Sequence, residues 1–256
     1  MNKFPLVTCA YTLCFSLLSM PALADVSEKI EQAYAVDTSS EFSIHNINGS
    51  VKITSWQASE IKIVGVKEAK NQSDLDRIIV NIEQQGNSVK VETEYEKESS
   101  SFRNHSHSGH VSFEIFLPKD IKATEVDLVN GSLVIDEVGG MIDADLVNGS
   151  IKVSDATGNS KLQSVNGSIK VNYQRLSEDV DKISLNTVNG SIKLYLPDNA
   201  NAEVSAETMH GSLKSEFGLE VDKNLFTGKE MNGTIGSGHT QIRLESVNGS
   251  IKVMNQ

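Results

Sequence analysis

Cysteine is nearly absent from this chain of 256 residues, and its two copies, Cys9 and Cys14, both fall within the first 24. A secreted eukaryotic domain of this size usually carries disulfides. A chain that is exported yet cysteine-free past that point therefore reads as bacterial. Basic residues are also in deficit, 23 against 34 acidic ones, for a formal charge of −11. That excludes nucleic acid as a natural partner, because phosphate binding needs a basic field; it is ordinary for a soluble protein of the periplasm or cell exterior. Long apolar runs are missing too. The stretch from Phe4 to Leu18 is interrupted at Thr8, Thr12 and Ser16 and is too short for a stable membrane span. Nothing in Val253–Gln256 resembles a sorting signal or the aromatic end of an outer-membrane barrel. Enzyme signatures are lacking: there is no G-x-S-x-G elbow, no H-E-x-x-H, no phosphate loop and no calcium-type glycine-aspartate repeat.

What is present begins with a secretory signal over residues 1–24. Lys3 gives the positive start, and Ala22-Leu23-Ala24 gives the small-x-small cleavage site, so the mature chain starts near Asp25. Residues 25–37 form a polar lead-in, a short helix or an edge strand.

Past the signal, one short unit recurs eight times. It reads INGSVKI from Ile47, VNGSLVI from Val129, VNGSIKV from Val147 and from Val165, VNGSIKL from Val188, MHGSLKS from Met209, MNGTIGS from Met231, and VNGSIKV from Val247. From Gly131 onward the glycines are spaced by 18, 18, 23, 21, 22 and 16 residues. A period near twenty is the mark of a solenoid or a regular meander. The pairs Asn48-Gly49, Asn130-Gly131, Asn148-Gly149, Asn166-Gly167, Asn189-Gly190, Asn232-Gly233 and Asn248-Gly249, with His210-Gly211 as the variant, tolerate positive φ and mark turns or corners. After each glycine the pattern is polar, aliphatic, polar (most often Lys), then mostly apolar, which is a β-strand with one face buried. No unit can bury that face alone, so neighbours must stack.

Two all-β architectures satisfy this pattern. In a β-solenoid each unit is one coil and Asn-Gly is a corner; in an antiparallel β-meander each Asn-Gly closes a hairpin. The hairpin would set Asp145, Glu207 and Glu245 opposite Lys152, Lys214 and Lys252, whereas the near-identity of successive units favours stacking. The unit V-N-G-S-I-K-V, the entry pattern Phe42-x-Ile44-x-Asn46-x-Asn48-Gly49-Ser50-Val51-x-Ile53 and Trp56 together resemble the bacterial putative-adhesin family, exported proteins built on a domain of unknown function. The resemblance spans residues 38–253 and implies a β-solenoid of about eight N-G-S/T units. The expected organisation is an N-terminal β region over 38–122 and the solenoid over 123–256; the alternative is one continuous solenoid with a protruding hairpin. Within the first region strands are expected at 41–54, 60–67, 78–84, 88–95 and 110–117. Ser73 or Asp74 should cap a helical turn, and 96–109 should be a polar loop.

Candidate chemistry is sparse. His105, His107 and His110 lie close enough to ligate a metal, but no cysteine or clear acidic fourth ligand accompanies them, and a plain polar loop explains them as well. Stacked in register, Lys152, Lys170, Lys193 and Lys214 would form a ladder with steps of about 4.8 Å. Such a ladder could grip an anionic polymer, or simply be a solvated face that discourages edge-to-edge pairing. The N-G-S/T units match a glycosylation acceptor pattern, but turn geometry accounts for them. No catalytic or cofactor-binding residue is expected. The sequence thus reads as a non-enzymatic, adhesin-like scaffold or binding protein of the cell envelope, with envelope glycans or other envelope proteins as partners. An accessory role in an envelope-stress response and, further off, glycan cleavage are the alternatives.

Overall fold

Strands of alternating burial, joined at Asn-Gly corners, wind the chain into coils. The computed structural model describes residues 25–37, 39–96, 109–224 and 228–256; the signal segment, His105 and His107 lie outside them. The first part holds β1 (Val26–Ala35), β2 (Glu41–Asn48), β3 (Val51–Trp56), β4 (Glu60–Ala69), β5 (Ile78–Gln85), β6 (Ser88–Tyr95) and β7 (His110–Pro118). Between β4 and β5 sits α1 (Gln72–Asp76). Its cap is Asn71 and not Ser73 or Asp74, because the Asn71 side chain accepts the Asp74 backbone N–H at 2.9 Å. Then come four coils of two strands each. They are β8 (Ala123–Asn130) with β9 (Leu133–Asp136), β10 (Met141–Asn148) with β11 (Ile151–Ser154), β12 (Ser160–Asn166) with β13 (Ile169–Asn172), and β14 (Lys182–Asn189) with β15 (Ile192–Leu196). Beyond them lie β16 (Ala202–His210) and β17 (Leu213–Ser215), β18 (Glu220–Asn224) and β19 (Gly228–Ile235), and finally β20 (Thr240–Asn248) and β21 (Ile251–Asn255).

These strands make two sheets. The first runs β1-β4-β7-β3-β9-β11-β13-β15-β21-β17, the second β18-β19-β16-β20-β14-β12-β10-β8-β2-β6-β5. The two strands around each Asn-Gly corner belong to different sheets and pair in parallel with the same strands of the next coil, as in Ile151↔Ile169 and Ile169↔Ile192. The fold is therefore a parallel β-solenoid. The hairpin reading fails, since Asp145 and Lys152 lie in different sheets and face none of each other's partners. One repeat copy also fails. Asn232-Gly233 is no corner: it runs unbent inside β19, which pairs antiparallel with β16. Its sequence mimics the unit, but it lacks a following strand in the other sheet.

Positive φ accounts for glycine at only two of the seven true corners, Gly49 and Gly149, whereas close approach of the neighbouring backbone accounts for all seven. Backbone hydrogen bonds continue from coil to coil through the corner, as from Gly167 N–H to Asn189 O and Ile169 N–H to Ser191 O, both 3.0 Å. A Cβ on Gly167 would then sit 1.8 Å from the carbonyl oxygen of Gly149, and one on Gly190 1.9 Å from that of Gly167. Only glycine lets successive corners approach that closely.

Inside, Val51, Leu133, Ile151, Ile169, Ile192 and Ile251 stack as one column, none more than 1% exposed. Each contributes about 1.5–3 kcal/mol by burial. The column is part of a single core that includes Phe42 and Val253. Both sheets cross residue 122 without a break, because β2 pairs with β8 and β3 with β9.

Order in space departs from order in sequence at both ends. β6 and β7 stack outside β2 and β3, although they follow them in the chain. At the far end β20 and β21 insert between the β14–β15 coil and the β16–β17 coil. Three of the four rims are closed by antiparallel strands, β4 and β1 on the first sheet and β5 and β19 with β18 on the second, while the first sheet ends at its far side in the three-residue β17. A parallel stack would otherwise end in a row of unpaired backbone groups.

Candidate functional site

The corner ridge is built from amides that satisfy one another. Asn130 donates to Asn48, Asn148 to Asn130, Asn166 to Asn148, Asn189 to Asn166 and Asn248 to Asn189, all at 2.8–3.0 Å. His210 ends the row, its carbonyl accepting Gly249 N–H at 3.1 Å. Beneath the ridge a second column, invisible to simple pattern reading, ties down the glycine carbonyls. Ser164, Thr187, Ser246 and Thr208 donate their hydroxyls to Gly149, Gly167, Gly190 and Gly249 at 2.9–3.2 Å. Each such bond is worth about 0.5–1.5 kcal/mol net. These side chains are occupied by structure and leave little for a ligand. The same holds for the buried Tyr173 phenol, which bonds Ser160 and the Gly158 carbonyl and is pushed up in pKa by burial.

The outward surface of the first sheet carries the lysines. Their order is Lys152, Lys170, Lys193, Lys252, Lys214. The anticipated neighbour relation between Lys193 and Lys214 is corrected: Lys252 intervenes, because the last coil is inserted. At the opposite end Val134 interrupts the row before Lys52. Lys52 meets Glu114 at 3.4 Å, Lys214 meets Glu216 at 3.7 Å, and Lys170 lies over the Tyr195 ring at 5.0 Å. Among the described residues, Lys152, Lys170, Lys193 and Lys252 have no carboxylate within ion-pair distance. Neighbouring ammonium groups one coil apart repel by about 1 kcal/mol in water, so the row is a focused positive strip on an acidic protein. The inserted coil left a clue in the sequence. VNGSIKV at Val247 is identical to the copies at Val147 and Val165, while MHGSLKS at Met209 is not, and stacking rewards identity.

The outward surface of the second sheet has the opposite character. A groove of about 720 Å³ runs along the solenoid axis there, from His45 to Glu207. One side is an aliphatic stripe in which Val147, Val165, Val188 and Met209 are 40–57% exposed. Along its floor, in spatial order, come Asp127, Asp145, Gln163, Asn186, Glu245 and Glu207. Burial pushes the Asp145 carboxyl up; Lys161 opposes that, and the charges of Asp143 and Asp127 add to it. Reading for repeats alone missed this face, since its column varies while the ridge does not.

Of the three histidines weighed as metal ligands, His110 is in view. It bonds Glu68 at 2.8 Å, and no group of three or more His, Cys, Asp or Glu able to hold a metal occurs among the described residues. Nor is any helix among them long and apolar enough to cross a membrane.

Fold and faces together define a capped parallel β-solenoid with a polar ridge between a cationic and an acidic surface. The chain belongs to the Toastrack DUF4097 family, whose pattern matches residues 121–254. Its fold is similar to that of a putative cell adhesion protein from Clostridium sporogenes, with a TM-score of 0.52 and 14% identity over 90% of this chain and 100% of that one. A putative adhesin from Bacteroides fragilis is matched at a TM-score of 0.42 and 13% identity, over 90% of this chain and 97% of the other. The resemblance to the putative-adhesin family holds on the family match, with the Clostridium protein agreeing in fold. No curated protein matches the chain.

Proposed function

We propose that this protein is a non-enzymatic binding module exported to the bacterial cell envelope, and that its lysine ladder holds an anionic envelope polymer. The observation that carries this reading is the uninterrupted row Lys152, Lys170, Lys193, Lys252, Lys214, one per coil, four of them without a carboxylate partner among the described residues. A rigid row of like charges gains from any ligand that brings opposite charges at a similar interval. An acidic polysaccharide does so without asking the protein to rearrange. The similarity to a protein described as a putative cell adhesion protein supports an adhesin-like role of this kind. A non-catalytic reading is supported by the use of the hydroxyls beneath the ridge, where Ser164, Thr187, Thr208 and Ser246 each donate to a glycine carbonyl.

The test is binding of the purified protein to a soluble polyuronate. Binding should weaken steeply as salt rises and fall at least about tenfold when Lys152, Lys170, Lys193 and Lys252 are changed together to Gln, a loss of about 1.4 kcal/mol. Changing Lys122, paired with Glu41 elsewhere on the surface, should leave it intact. Absence of binding at low salt, or equal binding by the ladder variant, removes the reading.

A further inference from the structure

The geometry points to a second binding site on the opposite face: we infer that the groove of the second sheet receives an extended basic peptide segment whose lysines or arginines alternate with aliphatic residues. This site is independent of the lysine ladder and takes a partner of the opposite charge.

Three observations converge on that occupant. The groove offers acceptors almost throughout. Asp127 and Asp145 sit side by side on adjacent coils, as do Glu245 and Glu207. The middle is held by Gln163 and Asn186. Four carboxylates and two amides in one row select a ligand that is positive and rich in N–H groups. The second observation is that two cations next to the groove are already committed, Lys161 to Asp143 at 3.0 Å and Arg243 to Glu245 at 2.5 Å, which leaves Glu207 as the unpaired member of its acid pair. Asp127, Asp145 and Glu207 have no ion-pair partner of their own among the described residues. The third is the apolar wall of Val147, Val165, Val188 and Met209. A small hydrated cation or a purely polar polycation would leave that wall wet, whereas aliphatic side chains would cover it, at about 25 cal/mol per Å².

Length and spacing select an extended chain. Six coil steps of about 4.8 Å make the groove about 29 Å long, the span of eight or nine extended residues at about 3.4 Å each. The two acid pairs are centred four steps apart, about 19 Å, and side chains on one face of an extended peptide recur about every 6.8 Å. Alternate basic residues on one edge thus reach both pairs while the other edge lies along the valines. Because the peptide would cross the strands at right angles, recognition is through side chains and not through strand addition.

The experiment uses fluorescence anisotropy of labelled synthetic peptides of about eight residues, the length the groove accommodates, with the whole purified chain. The probes are alternating Lys-Val, alternating Lys-Ser and alternating Glu-Val. Lys-Val should bind, Lys-Ser should bind about tenfold more weakly (about 1.4 kcal/mol), and Glu-Val should not bind. The double variants D145N/E207Q and V165S/V188S alter exposed side chains, so each should fold; each should weaken Lys-Val by about tenfold or more while leaving polyuronate binding unchanged. Four results overturn the proposal: no binding of Lys-Val, equal binding of Lys-Ser, binding of Glu-Val, or indifference of Lys-Val to both double variants. Equal binding of Lys-Ser would mean that the acidic field attracts any polycation and the groove selects nothing.

Discussion

From β8 to β15 each coil stacks on the one that precedes it in the chain, whereas at either end the order in space departs from the order in sequence. The interior coils are held by repetition: identical aliphatics beneath, an amide row above, and glycines that let the corners touch. The ends are held by topology. A later segment, β6 with β7, covers the first coil, and the last coil, β20 with β21, is slid inside the coil made before it. A repeat stack is a sum of nearest-neighbour interfaces, and its outermost unit is normally its weakest. Burying β20 and β21 between two others makes the β16–β17 coil the outermost one; β19 and β18 cap its β16 side, and the edge it leaves on the first sheet is only three residues long.

The sharpest way to break this contrast is truncation before Ser237. In a linear stack, losing the last coil costs one interface. Here it strips the partner from β14 and β15 on one side and from β16 and β17 on the other. It also deletes the buried Ile242, Leu244, Ile251 and Val253. At about 1.5–3 kcal/mol per side chain, the loss approaches the whole stability of a typical domain, about 5–15 kcal/mol. Thermal unfolding followed by circular dichroism should show no cooperative transition, or one displaced far downward. A truncated chain melting within a few degrees of the full one would contradict the inserted coil.

A smaller effect separates true corners from the false copy. In Gly190→Ala the new Cβ would lie 1.9 Å from a backbone oxygen that cannot yield without parting two coils. The cost should be about 3 kcal/mol or more, in the range reserved for backbone strain and core disruption. In Gly233→Ala the only close atom among the described residues is Cδ2 of Leu219 at 2.9 Å, the movable tip of a side chain. The expected change is under about 1 kcal/mol, offset in part by the lower entropy of the unfolded chain. Urea midpoints of the two variants measure the difference, and equal losses would mean that Asn232-Gly233 is a working corner after all.

That pair also shows where sequence reading stops. Asn-Gly-Ser with alternating aliphatics announces β-structure, stacking and a buried column, because those demands are local to each unit and repeat with it. The resemblance chose solenoid over meander. Adjacency in space is another matter. The unit at Met231 does depart from the pattern, with Gly236 in the lysine column and Ser237 in the apolar one, but the ladder order Lys193, Lys252, Lys214 depends on a crossover that spacing cannot encode. The reason for glycine was equally hidden, since a turn with positive φ and a corner with no room for a Cβ demand the same residue. Of the two faces, the lysine row was legible because it repeats. The groove was not, because Asp127, Asp145, Gln163, Asn186, Glu245 and Glu207 share a position without sharing a residue type.

The smallest predicted effect compares carboxylates on the two sheets. Glu31, at the rim of the first sheet, is held down to about 2 by Lys29 and Lys62, so it favours folding above its usual value of 4.5 and that benefit fades as the pH falls toward 2. Asp145, in the groove, is shifted the other way, upward from its usual value of 3.8 by burial first and by Asp143 and Asp127 after, against Lys161. A raised native pKa means that the folded chain binds the proton more tightly than the unfolded one. The contribution to stability is then fully present below 3.8 and is lost as the pH climbs through the native value. At neutral pH an ionised Asp145 is therefore a burden, which Asp145→Asn removes. Because the site is partly solvated, the gain should be only a few tenths of a kcal/mol, read as a small rise in melting temperature at pH 7 that disappears below the usual aspartate range. If Asp145→Asn lowers the melting temperature at pH 7, Asp145 is already neutralised in the groove, and the acidic row has a partner of its own.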